Sequence, residues 1–298
     1  MGKKGLDLEV MAKALEASGR YRVLRRLEPR RFIEQPDGVE TRLGLFLDVE
    51  TTGLDPAKDE IIELAMVPFT YGVDGRIFEI HEAFERLRQP RTRIPAEIAS
   101  LTGITDEMVA GQTIDPAEVT ACVNSAALIV AHHAAFDRRF AERLSDIFKI
   151  KPWACSMTQI DWRAEGYEGT KLAYLAMAAG FFYTRHRAAQ DCRAAIELLA
   201  TRLPKTGARA MALLLDQARR PSWRVLAENS PYDLKDALKS RGYRWNGAEN
   251  TNPRAWFIEV DDEALEQELA YLRTEIYRRD VEIPVQKITA YERFSDRA

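Results

Sequence analysis

LGLFLDVETTGLDP, Leu43–Pro56, begins as an apolar run and breaks into Asp48-Val49-Glu50 before a Thr-Thr-Gly turn. In an extended strand alternate side chains share a face, so Phe46, Asp48 and Glu50 lie together and two carboxylates emerge side by side where the strand ends. Like charges that close repel unless something neutralises them, and the stretch holds no lysine or arginine. The next apolar segments, Ile61–Tyr71 and Arg76–Phe84, follow after short turn-rich links, which predicts an antiparallel meander of three strands.

Beyond the meander the chain alternates. Helical segments near 95–124 lead to the short apolar run Ala126–Ala131, then to a helix over about Phe136–Phe148, with further helices at 170–181, 187–202 and 206–219. That order predicts an α/β fold, a mixed sheet covered by helices. Two of the helices carry an acid on the wrong face. Asp137 has Phe140, Ala141, Leu144 and Phe148 on its stripe, and Asp191 has Ala194, Ala195, Leu198 and Leu199 on its own. A first-turn acid is favoured by the helix dipole, by about 0.3–1 kcal/mol, but that does not explain why it faces the core. An uncompensated buried carboxylate is costly, so inward acids are paired with cations or hold metals.

Oxygen donors without cysteine suit hard ions, Mg²⁺ or Mn²⁺, and two such ions roughly 3.5–4 Å apart are a recurring device for attack on a phosphodiester. His186 precedes Asp191 by five residues and can reach the same site from a loop. An imidazole, with an ordinary pKa of about 6.5, is suited to take a proton from an attacking water.

Taken together, LDVETTGL, AHHAAFDRRF and HRAAQD resemble the three motifs of the DEDDh subgroup of 3′-to-5′ exonucleases, the DnaQ-like family that includes the proofreading epsilon subunit of bacterial replicative polymerase. They occur in the family's order over residues 43–200, and SLTGITDEMV (100–109) is similar to the segment beside the nucleotide in that family. The resemblance implies a ribonuclease H-like, five-stranded mixed sheet flanked by helices. It implies Asp48, Glu50, Asp137 and Asp191 as ligands of two Mg²⁺ or Mn²⁺ ions, with His186 as general base. Thr51, Thr52, Gly53 and Leu54 would line the terminal nucleotide, with main-chain N–H groups of the turn available to phosphate, and Thr102, His133 and Phe136 would also meet substrate. The family usually has His-Asn where this chain has His132-His133, which exchanges an amide for an imidazole at a nucleotide contact. The implied activity is release of nucleoside monophosphates from a nucleic acid 3′ end, with DNA favoured, in proofreading or repair. The alternatives are RNA trimming, or a binding subunit with a vestigial site.

At 298 residues, 46% of them hydrophobic, the chain can bury at least one full core. We expect three parts: a helical extension over 1–42, the exonuclease domain over 43–220, and a small α+β module over 221–298. Residues 6–27 have helical spacing, through Leu8, Met11, Leu15, Leu24 and Leu27, interrupted at Ser18-Gly19. The tail reads as a helix in DLKDALKSR stopped by Gly242, a polar turn NGAENTNP, a strand AWFIEV, and a helix with Leu265, Leu269, Leu272 and Ile276 on one stripe. Its Tyr243, Arg244, Trp245, Arg254 and Trp256 either stack on single-stranded nucleic acid or build the core of the module or a subunit contact, and the packing reading is preferred. A protein partner or self-association would also use this module.

Net charge is -3, so any attraction for a polyanion must be local. RYRVLRRLEPRR (20–31) holds six arginines against one glutamate; its plainer reading is a solvated face with no structural task. Cys122, Cys155 and Cys192 lack C-x-x-C spacing and are expected to pack as small apolar residues. No run approaches a membrane span and the N-terminus lacks the features of a secretory signal, so the cytoplasm is the expected compartment.

Overall fold

The computed structural model describes residues 7–247 and 254–298. These form two compact units, one ending at Leu215 and the other running from Asp216 to Ala298. The division falls inside a helix, a few residues before the composition change at Arg219-Arg220-Pro221.

In the first unit, helix α1 (Leu8–Ala17) starts at Asp7, whose carboxylate accepts from the N–H groups of Glu9 and Val10. It ends at Ser18-Gly19, and the helical spacing through Leu24 and Leu27 is not realised. The chain is extended there, and β1 (Arg25–Arg26) runs parallel to a short later strand at Phe181–Phe182. The backbone N–H groups of Arg25 and Leu27 donate to Gly180 and Phe182, so tertiary pairing outweighs local propensity. Nor is the arginine run idle. Arg25 bonds Glu9 and Glu16, Arg30 bonds Glu197, Arg31 bonds Glu79, and Arg22 caps the carbonyls of Met177 and Ala178.

The sheet is built on β2 (Thr41–Thr51) and β3 (Ile61–Gly72), paired antiparallel from Thr41↔Gly72 to Glu50↔Glu63. The third strand of the expected meander is broken into β4 (Ile77–Ile80) and β5 (Phe84–Leu87), both on the same side of β3. Pro68 is the cause. Its carbonyl accepts from the His81 N–H at 2.8 Å, but proline donates nothing in return, so the ladder lapses after Phe69↔Ile80 and resumes at Met66↔Phe84. Helices α2 (Ala96–Thr102), α3 (Asp106–Val109) and α4 (Pro116–Asn124) lead to β6 (Leu128–Ala131), parallel to β2. After α5 (Ala134–Leu144), β7 (Trp153–Cys155) extends the sheet beside β6. The sheet thus has five positions, one of them filled by two short strands.

Helix α6 (Leu172–Ala178), β8 (Phe181–Phe182) and α7 (Ala188–Ala200) follow, and α7 packs on β2 and β3. Leu45, Phe46, Leu47, Ile62, Leu64 and Met66 are fully buried beneath the helices. Each such side chain contributes about 1.5–3 kcal/mol, which holds the central hairpin firmly in place. Cys192 on α7 is buried and its thiol points at the carbonyls of Phe46 and Ala65, as a packed small residue would.

Helix α8 (Ala210–Arg219) crosses the division. The second unit is an antiparallel sheet in the order β10 (Arg244–Trp245), β11 (Trp256–Val260), β9 (Ser222–Ala227), β12 (Val285–Ile288), with α9 (Lys235–Ser240) and α10 (Leu265–Tyr271). Its core joins Val225 and Ala227 to Leu238, Tyr243, Leu269, Leu272 and Ile276, so the expected helix stripe is buried apart from its first residue. The polar turn expected over 246–253 lies, beyond Gly247, outside the described residues. No helix among the described residues is long and apolar enough to cross a membrane.

Candidate active site

The end of β2 delivers Asp48 and Glu50 to one face, and the first turns of α5 and α7 bring Asp137 and Asp191. Carboxylate oxygens of Asp48, Glu50 and Asp191 all lie within 4.8 Å of one another. All three side chains stay partly exposed, as groups that meet an ion from solution must be. Asp137 is 2% exposed, and its Oδ1 accepts from the Val49 N–H at 3.3 Å. It is close enough to raise the pKa of Asp48, though it is not in the group of three.

The electrostatics follow from that crowding. Burial, then the charges of Asp137, Asp191 and Glu50, push Asp48 well above the usual carboxylate range. Burial and then Asp191 and Glu63 push Glu50 up to about 8, against the opposing pull of Arg187. Asp137 is pushed up to about 7 by burial, with backbone N–H groups, that of Val49 first, acting the other way. Burial also raises Asp191, opposed by the Tyr183 hydroxyl and by the backbone N–H groups of Arg187 and His186. A cluster that resists ionisation on its own is one that a cation stabilises. An all-carboxylate donor set matches a hard divalent ion.

Three residues of this region escape a reading of the motifs. Glu63 stands directly opposite Glu50 and is fully buried. Its Oε1 accepts from Arg187 Nε (3.2 Å) and Nη2 (3.0 Å), and its Oε2 from the Ala188 N–H (2.9 Å). Without that guanidinium, two acids facing each other across adjacent strands would repel. Tyr183 donates its hydroxyl to Asp191 Oδ1 at 2.8 Å, while the Arg187 N–H donates to Oδ2 at 3.1 Å. The cation and donors that looked absent around Leu43–Pro56 therefore come from more than 120 residues away. One signal was available: Glu63 is a lone acid in the apolar run IIELAMV, open to the same wrong-face argument as Asp137.

His186 lies between Tyr183 and this clamp, half-buried and next to Asp191, with a backbone φ of 59°. A left-handed conformation is uncommon for histidine and persists where the surroundings dictate it. Here the fixed Arg187 and Ala188 follow it directly.

In the turn after β2, Thr51 Oγ1 donates to the Gly53 carbonyl, and Thr52 accepts from the Glu60 N–H. The N–H groups of Thr52 and Asp55 are engaged with Glu60 and Asp59, which leaves those of Gly53 and Leu54. A Cβ at Gly53 would lie 2.6 Å from the Asp59 carboxylate, which would have to move from the Asp55 N–H and Thr52 hydroxyl that it holds. The Leu54 side chain is 83% exposed beside this turn. Thr102 is placed differently: it is buried, donating to the Ile98 carbonyl and accepting from the Ile104 N–H, so its hydroxyl is engaged in the turn after α2. His133 is exposed at the start of α5, its ring stacked near Phe136 at 6.0 Å. His132 holds Ser156 and the Thr170 carbonyl, and burial lowers its pKa to about 4, so the ring is neutral.

Comparison with known proteins agrees with this architecture. The sequence pattern of the exonuclease family RNase_T matches residues 45–199, just over half of the chain. A PolC-type DNA polymerase III of Clostridium perfringens is 34% identical over 160 residues, which are 51% of this chain and 10% of that protein. The PolC-type enzyme of Thermotoga petrophila is 34% identical over 127 residues, 41% of this chain and 8% of the relative. The matched stretch is thus about a tenth of the length of these relatives. Among solved structures, zinc-bound E. coli ExoI with single-stranded DNA has a TM-score of 0.51 at 18% identity, covering 85% of this chain and 64% of that one. Apo exonuclease I gives 0.50 at 18% identity, covering 85% and 63%. With its mixed sheet flanked by helices and its acids gathered at the end of β2, the chain belongs to the exonuclease family RNase_T.

Proposed function

We propose that this nuclease is a metal-dependent 3′-to-5′ exonuclease that removes nucleoside monophosphates from DNA, with its site at the end of β2. The observation that carries the reading is the approach of Asp48, Glu50 and Asp191 within 4.8 Å, next to a histidine held in a left-handed conformation. DNA is favoured over RNA because the relatives found by sequence are DNA polymerases.

Asp48, Glu50 and Asp191, with Asp137 adjoining, would hold Mg²⁺ or Mn²⁺, two ions in the full form of the reading. Bound there, a divalent ion supplies charge stabilisation to the scissile phosphate. The chain's own groups do the rest. His186 takes the proton from the attacking water, and the clamp of Glu63 on Arg187 and Ala188 keeps its loop in place. The turn from Thr51 to Leu54 receives the terminal nucleotide, with Leu54 against the base and the Gly53 and Leu54 N–H groups toward phosphate. His133 and Phe136, at the start of α5, flank the same end of the sheet.

The test is a 5′-labelled single-stranded DNA with Mg²⁺, run beside the same sequence as a circle. The linear strand should shorten one nucleotide at a time from its 3′ end while the circle persists. Appreciable cutting of the circle would mean an endonuclease.

A further inference from the structure

The aromatic residues of the second unit divide into two sets. Tyr243 is buried in the core and Trp256 packs partly against it. Trp245 and Tyr232 are different, 53% and 77% exposed. They are joined by basic groups. Lys235 Nζ lies 4.0 Å from the centre of the Tyr232 ring, and Lys239, one turn further along α9, lies 5.8 Å from that of Trp256. Trp256 in turn meets Trp245 at 5.6 Å, while Arg244, the preceding residue of the edge strand β10, faces the other side, beside Phe257 and Glu259. Tyr232 and Trp245 thus end a band in which Lys235, Lys239 and Trp256 lie between them.

The band is held in shape. Trp245 and Trp256 are cross-strand partners, and Gly247 passes so close to the indole that a Cβ there would lie 2.0 Å from Trp245 Nε1. Asp233 and Asp236 lie on the same segment, and Asp236 is 4.0 Å from Lys239, both side chains largely exposed. Water screens such a pair, so it leaves the ammonium group available to a polyanion.

We infer that this band, built within the second unit and from none of the carboxylates, is a second binding site for single-stranded polynucleotide. Bases stack on the open faces of Trp245 and Tyr232, and Lys235 and Lys239 take the phosphates. Ring faces accept any base, so the site is tolerant of sequence. The choice of polynucleotide rests on the nuclease reading, which makes such a strand the substrate.

The test uses the full chain in EDTA and follows fluorescence anisotropy of labelled dT20 and rU20. Trp245→Ala removes one stacking surface and should weaken binding by about 5- to 150-fold. Lys235→Glu with Lys239→Glu should weaken it at least as much and flatten the dependence on salt. Melting temperature, and Mg²⁺-dependent hydrolysis of the p-nitrophenyl ester of thymidine 5′-monophosphate, should be unchanged in both variants. The two polymers show whether DNA or RNA is held. Unchanged affinity for both 20-mers would overturn the site, and so would an equal loss of affinity for the dinucleotide dTdT, because the effect would then lie at the carboxylates. An inert ester with normal 20-mer binding would count against the nuclease reading and leave the band intact.

Discussion

The two units differ in what they gather: one crowds acids together, the other sets exposed rings along a basic helix. The first drives four acids toward the inner end of β2 and holds Asp137 and Glu63 out of water. The second turns rings outward, at Tyr232 and Trp245, with Lys235 beside the first and Lys239 over Trp256, the partner of the other. An inward carboxylate is unfavourable and survives because something compensates it, so its position is informative about chemistry. An outward ring is only mildly unfavourable, and its position says less until its neighbours are known.

The contrast breaks first at Asp48. If the crowded acids exist to hold a cation, Asp48→Ala should lower turnover by about 10³-fold or more, since the charge stabilisation lost is several kcal/mol. The variant should stay folded, because relieving like charges removes a source of repulsion. Near-normal hydrolysis by a folded Asp48→Ala would detach the acids from catalysis.

Next comes His186→Ala, expected to slow hydrolysis by about 10²- to 10⁴-fold while Mn²⁺ affinity and melting temperature hold. A variant that melts early but cleaves normally would make His186 a packing residue. Glu63→Ala should have a smaller, mixed effect. It leaves the Ala188 N–H without its acceptor and Arg187 with Glu85 alone, lowering stability by about 1–3 kcal/mol. Turnover should fall about 10- to 100-fold, as when an outer-shell partner is lost. In a His186→Ala background most of that loss in turnover should disappear if the clamp acts through the histidine; full additivity in a double-mutant cycle would refute that route.

The remaining effect is on stability against pH. Glu50 is pushed up to about 8 in the folded protein against about 4.3 in an unfolded chain, and Asp137 to about 7 against about 3.9. Between those values the folded state binds more protons than the unfolded one. The stability of the metal-free protein should therefore fall as pH rises from about 4.5 to 8. Melting curves at pH 5.5 and 8 in EDTA should show the decline, and Mn²⁺ at pH 8 should reverse it. A metal-free protein more stable at pH 8 than at 5.5 would contradict the burial of these acids.

Strand alternation was enough to read Asp48 and Glu50, and helical spacing enough for Asp137 and Asp191, because each places a charge against an apolar stripe. Partners were harder. Arg187 and Tyr183 reach the site through the fold, and nothing local to β2 announces them. Pro68 was visible, yet its effect depends on which strand lies on its open side. In the second unit β9 and β12 went unread, since Ser222–Ala227 and Val285–Ile288 gain their order from pairing with each other and, for β9, with β11. Trp245 and Trp256 look alike in sequence, and only the strand order, which puts one on the edge and the other inside the sheet, separates the exposed ring from the packed one.

The central claim is that the crowded acids serve a cation that catalysis requires, and a Mn²⁺ titration followed by electron paramagnetic resonance, with the cleavage rate measured on the same samples, tests it most directly. The account predicts that the rate rises with bound Mn²⁺ and that Asp48→Asn loses both together. Cleavage that proceeds at full rate with no Mn²⁺ bound and chelator present would contradict it.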